Sequence, residues 1–188
     1  MKKSKLIFTV FTVFAFLVAN AQDSGTDSHD ITISVPAVAL VDIEPSANNT
    51  ITMAFVAPIE AGLPLTNPTD NTALWLNYSS IIDGGNPNRT ISVQVDGVYP
   101  GADILVAAAA DAGNGEGTVG TPSAQLTLTV APQNIITGIG SAYTGDGANN
   151  GHNLTYSLVA SGASTADYAD LVADAGTDVT VTYTISDN

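Results

Sequence analysis

The sequence predicts an all-β fold, an antiparallel Greek-key (immunoglobulin-like) sandwich of about eight strands. Three observations predict it. Apolar residues recur at every second position in successive runs, the pattern of strands with one buried face. The runs are rich in Thr, Val and Ile and are separated by Gly, Asn, Asp and Pro clusters suited to turns. No long stretch carries the 3.6-residue period of an amphipathic helix.

Taken in order, residues 1–21 have the form of a signal peptide. Lys2, Lys3 and Lys5 precede an apolar stretch, 6–18, that is too short to span a bilayer, and Ala19-Asn20-Ala21 offers a small-x-small cleavage site. Residues 22–30 contain no large apolar side chain and read as a flexible leader. A single domain is expected over 31–188. Its first strand is the most regular, because Ile31, Ile33, Val35, Ala37, Ala39, Val41 and Ile43 all fall on one face. Pro36 lacks an N–H and confines that strand to an edge or a bulge.

The alternation continues at Ile51, Met53 and Phe55, at Leu74, Leu76 and Tyr78, at Ile91, Val93 and Val95, and at Leu126, Leu128 and Val130. It returns at Leu154, Tyr156 and Leu158, and at Val179, Val181, Tyr183 and Ile185. Residues 104–110 read as a further strand, although their alanines also suit a helix. Residues 164–175 predict one helical turn, capped by Ser164 or Thr165, with Tyr168, Leu171 and Val172 facing inward. The glycine-rich stretches 111–120 and 138–151 read as exposed loops.

Charge narrows the function classes. The chain carries 4 Lys and Arg against 18 Asp and Glu, a formal charge of −14. Loss of the signal peptide would leave Arg89 as the sole base, so neither nucleic acid nor an anionic membrane surface is an expected partner. With no cysteine, disulfides, thiolate metal sites and thiol nucleophiles are all excluded. Arg89 opens a strand and predicts an ion pair whose partner the sequence does not name.

Chemistry-bearing residues are sparse. Asp146, Asn149 and Asn150, with His152 close by, form a cluster of oxygen ligands that suits calcium, the one cofactor considered; Asp111, Asn114 and Glu116 form another. Turns select the same residues for their backbone angles, and that is the preferred reading of both. Ser141, His152 and Asp146 supply the residue types of a hydrolytic triad without any accompanying motif, so no catalytic residue is assigned. Trp75 and Tyr143 are candidate glycan contacts. Since Leu74, Leu76 and Tyr78 share a face, Trp75 belongs to the opposite one, and a core position is preferred for it.

The strand 31–43, directly after a polar leader, occupies the place of an assembly strand, one that completes the sheet of a neighbouring subunit; the other reading, preferred by a small margin, is an ordinary first strand of its own sandwich. The segment Ala175-Gly176-Thr177-Asp178-Val179-Thr180-Val181-Thr182-Tyr183-Thr184 resembles the closing strand of secreted spore coat U and fimbrial-subunit β-sandwich proteins of Gram-negative bacteria. Leu74-Trp75-Leu76-Asn77-Tyr78-Ser79-Ser80 is similar to a strand of the same kind of protein, and Asn20-Ala21-Gln22 resembles cleavage sites frequent in Bacteroidota. The resemblance carries over no functional residue. The expectation is an exported, non-enzymatic structural or adhesive subunit of the periplasm or outer cell surface, with itself, other surface subunits or a glycan as partner. The alternative is a carbohydrate- or calcium-dependent binding module.

Overall fold

The computed structural model describes residues 25–160, 167–174 and 176–188. The predicted signal peptide, the start of the leader and the cap positions Ser164 and Thr165 lie outside them. The chain divides into two compact units, residues 1–34 and 35–188. In the first, residues 25–34 are exposed and contain no strand.

The second unit is all-β, as predicted, with nine strands among the described residues that pair antiparallel throughout. They are β1 (Val38–Glu44), β2 (Asn71–Ile81), β3 (Arg89–Val95), β4 (Ala102–Asp111), β5 (Glu116–Pro122), β6 (Leu126–Thr127), β7 (Gln133–Tyr143), β8 (His152–Ala160) and β9 (Val181–Asp187). One continuous ladder runs β6-β4-β8-β2-β7-β3-β9, with β1 added to β2 and β5 to β7.

The ladder folds over at β2. The first part of β2 bonds to β8 through Leu74, Trp75 and Leu76, and its end bonds to β7 through Ser79 and Ser80. The same strand therefore serves two layers. On the opposite side, the segment after β6 bridges them, since Leu128 N donates to Ile104 O while Val95 N donates to Thr129 O. Between the layers lie Leu74, Leu76, Tyr78, Val106, Leu154 and Tyr156 from one side and Ile91, Val93, Ile135, Ile136 and Ile139 from the other. Full burial of each large aliphatic side chain contributes roughly 1.5–3 kcal/mol, so this cluster is the main source of stability. Tyr156 and Tyr183 meet hydroxyl to hydroxyl at 2.7 Å, tying β8 to β9 across the interior.

Several expectations are corrected. β7 and β5 fall largely in stretches read as loops. β7 hides its period because two irregularities interrupt its pairing with β3, where Ile91 opposes Ile136 but Ser92 opposes Asn134, and Arg89 opposes Ile139. Ile135 is the extra residue, which lets the consecutive Ile135 and Ile136 both turn inward. At the second irregularity Gly138 adopts φ 73°, open to glycine without strain. In β5, a Cβ on Gly117 would lie 2.2 Å from Ser141 O, so glycine there permits close strand approach rather than a turn.

Residues 51, 53 and 55 form no strand, although Ile51 and Met53 lie against the core. β6 spans only two residues, leaving Val130 exposed. The alanine-rich 104–110 lies in β4, not in a helix. The expected helical turn is a 3-10 segment, Tyr168–Asp170, in which Asp167 accepts a bond from Ala169 N. Tyr168 stays exposed, its hydroxyl accepting from Leu65 N at 3.1 Å, Val172 faces solvent, and only Leu171 is half-buried.

Candidate functional site

The predicted first strand is half realised. β1 begins at Val38, two residues after Pro36, and pairs with β2 from Val38 opposite Ile81 to Glu44 opposite Trp75. Val41 and Ile43 turn inward onto the core, whereas Ala39 and Leu40 stay exposed. Upstream the alternation persists without a strand. Ile31 is 74% exposed, Ile33 83% and Val35 69%, and Ala37 is exposed beside them. Large β-branched side chains at those exposures, three in alternation, are a liability for a chain in water unless something covers them.

The residue that marks the boundary is Arg89. Its Nε donates to Asp187 Oδ1 at 2.6 Å, and Nη1 donates to Val38 O, to Ser80 Oγ at 3.2 Å and to Ile81 O at 3.2 Å. One guanidinium thus ties the first residue of β1 to the end of β2, the start of β3 and the end of β9. Arg89 itself is 5% exposed, while the Asp187 side chain is half-exposed. A buried guanidinium is stable only when its donors find acceptors, and here a carboxylate takes Nε while a hydroxyl and two carbonyls share Nη1. The sequence foretold the ion pair but not its partner or its role at the strand junction. The available signal was that a lone base at the head of an apolar strand must recruit acceptors from other strands.

Two residues along β2 from Ser80, a second polar cluster lies in the interior. His152 is fully buried on β8; its Nδ1 lies 2.8 Å from Ala109 O and its Nε2 3.0 Å from Tyr78 Oη, with the two rings stacked. Tyr78 Oη also donates to Val119 O. With Nδ1–H given to Ala109, the neutral imidazole presents Nε2 as an acceptor, and the single Tyr78 proton has two acceptors to serve. Burial lowers the His152 pKa, against the opposing pull of the Ala109 bond and the Asp111 charge. Burial, aided by Asp111, raises that of Tyr78. Neither Ser141 nor Asp146 bonds the ring: Ser141 Oγ accepts from Ile82 N, and Asp146 O accepts from Asn150 Nδ2. The triad residue types are therefore not assembled.

The proposed calcium ligands are engaged in turn geometry. Asn149 adopts φ 69° and its carbonyl accepts from Asn114 Nδ2, while Asn150 N donates to Gly147 O. Glu116 is the first residue of β5, not a loop residue. Among the described residues no group of three or more His, Cys, Asp or Glu side chains is placed to hold a metal ion.

Trp75 is half-buried on the outer face and outside the core cluster, contrary to the preferred core position. Tyr143 opposes Ser79 and shares that outer face, 48% exposed. Four residues along β2 separate their positions by about 13 Å. Asn77 lies between them, buried under the turn after β7, where its Nδ2 donates to Gly147 O at 2.9 Å. The two aromatics therefore do not form one continuous platform.

Comparisons with protein-family models, with curated proteins and with solved structures yield no match. Among the described residues no helix is long and apolar enough to cross a membrane.

Proposed function

We propose that this chain is an exported, non-enzymatic structural or adhesive subunit that joins a neighbouring subunit by strand addition, using the stretch 31–37 just ahead of the docked strand. The observation that carries the reading is the alternating exposure of Ile31, Ile33 and Val35 in a stretch with no strand partner. In strand addition, main-chain hydrogen bonds supply affinity while alternate side chains fill pockets on the acceptor, which is what this pattern offers. β1 stays docked through Val41, Ile43 and the Arg89 bond to Val38, so the domain need not open to present the segment. A head-to-tail contact of this kind does not close on itself and generates linear assemblies. The non-enzymatic part of the reading is supported by the burial of His152, both of whose ring nitrogens face protein partners. The acidic surface favours solubility between such contacts, since the single Lys or Arg among the described residues, Arg89, is itself buried.

The test compares the chain with a variant carrying Ile31→Ser, Ile33→Ser and Val35→Ser. Sedimentation velocity and negative-stain microscopy across increasing concentration should show linear oligomers for the parent and monomers for the variant, with unchanged circular dichroism. A parent that stays monomeric throughout, or a variant that assembles equally well, would remove the reading.

A further inference from the structure

A second surface feature, independent of strand addition, lies at the opposite end of β3 from Arg89. A groove of about 330 Å³ runs between residues 96–100, which follow β3, and residues 172–174 and 177–179, which precede β9. Its walls are joined at both ends: Asp96 N donates to Thr180 O, Thr180 N returns a bond to Asp96 Oδ1 at 2.9 Å, and Tyr99 Oη donates to Val172 O at 2.8 Å. The groove is therefore formed before any occupant arrives. Val98 and Val172 face solvent from opposite walls, 66% and 72% exposed. Asp96, Asp174 and Asp178 line the same groove. The backbone and hydroxyl of Thr180 hold the Asp96 carboxyl below the usual carboxylate range, so it stays charged.

We propose that this groove docks a segment of a partner protein in which lysine or arginine side chains alternate with apolar ones. The valines and the Tyr99 ring reward burial of apolar area, and the three carboxylates complement cations, setting orientation and association rate. Charge decides the occupant. A second copy is a poor candidate, because among the described residues its only Lys or Arg is Arg89, buried about 20 Å away along β3. A purely apolar ligand would draw nothing from the carboxylates.

The probe is a fluorescein-labelled peptide, Lys-Val repeated four times, with Glu-Val repeated four times as control, followed by anisotropy and by methyl and amide NMR shifts on the chain lacking its predicted signal segment. The Lys-Val peptide should bind, with shifts confined to Val98, Tyr99, Val172 and Val179, and the Glu-Val peptide should not. The pair Val98→Ser with Val172→Ser should weaken binding about ten-fold and Asp178→Asn about three-fold. Glu60→Gln, which removes one charge outside the groove as Asp178→Asn does within it, should change it less than about two-fold. Shifts scattered over the acidic surface, or a loss in Glu60→Gln equal to that in Asp178→Asn, would overturn the proposal as unspecific attraction. Concentration-dependent shifts at the same methyls without peptide would overturn it in favour of a second copy. Saturable shifts with calcium chloride that ignore the two valine substitutions, together with loss of peptide binding, would overturn it in favour of a cation site.

Discussion

Residues 31–37 and 38–44 continue one alternating pattern and meet different ends. In the second stretch Val41 and Ile43 turn onto the core and the backbone pairs with β2; in the first, Ile31, Ile33 and Val35 face solvent. Both stretches are rich in β-branched residues, although the first also holds Pro36, which donates nothing to a ladder. The rest of the difference lies in what receives them. β2 offers seven residues opposite β1, from Ile81 to Trp75, and beyond Ile81 the chain turns away toward β3. Arg89 closes the pairing there by taking the Val38 carbonyl. Periodicity thus declares that a segment can be a strand, and the length of the neighbouring edge decides how much of it becomes one.

Removing the clamp at that boundary should have the largest effect. Arg89→Met leaves Asp187 without its cation and removes the guanidinium donor from the Val38 and Ile81 carbonyls, at an expected cost of about 3 kcal/mol in urea unfolding. A loss below about 1 kcal/mol would mean that β1 docks without it. Next comes Ile43→Ala, which removes a half-buried side chain from the docked stretch and should cost about 2 kcal/mol. In contrast, Ile33→Ala in the undocked stretch should stay within about 0.5 kcal/mol. Equal costs at the two positions would erase the distinction between the stretches.

The pH responses should be smaller and should separate the Arg89 boundary from the buried hydroxyls and imidazole of the interior. His152 has its pKa lowered by burial, so the unfolded chain binds a proton that the folded chain refuses. Stability should be flat above about pH 6.5 and decline below it. His152→Gln should flatten that acid limb while leaving exchange at Val38 unchanged. At the other extreme, Tyr78 and Tyr183 are raised and Tyr156 is pushed up to about 12, chiefly by burial. The folded chain therefore retains protons that the unfolded chain releases, and stability should fall as pH rises above 10. Tyr183→Phe should soften this alkaline limb, read by thermal melts at pH 9 and 11.

The fold was legible wherever strands keep a strict period. β2, β3, β8 and β9 were visible because Leu74, Leu76 and Tyr78, or Ile91, Val93 and Val95, point inward without interruption. β7 was not, because its bulge sets Ile135 beside Ile136 on one face and its glycines imitate a loop. β5 was hidden for a related reason, since Gly117 sits where another side chain would strike the Ser141 carbonyl. Ile51 and Met53 show the opposite failure, an alternating pair that reaches the core without joining a ladder. At the candidate site, the sequence named the apolar positions of 31–43 but not the break at Val38, because that break depends on where β2 ends and on the reach of a side chain far along the chain.

Amide hydrogen exchange, measured on dilute and on concentrated protein, tests strand addition most directly. The account predicts that amides of 31–35 exchange freely when dilute and become protected on concentration, while those of 39–44 are protected in both. Protection of 31–35 already present in the dilute monomer, or loss of protection in 39–44 on association, would contradict it.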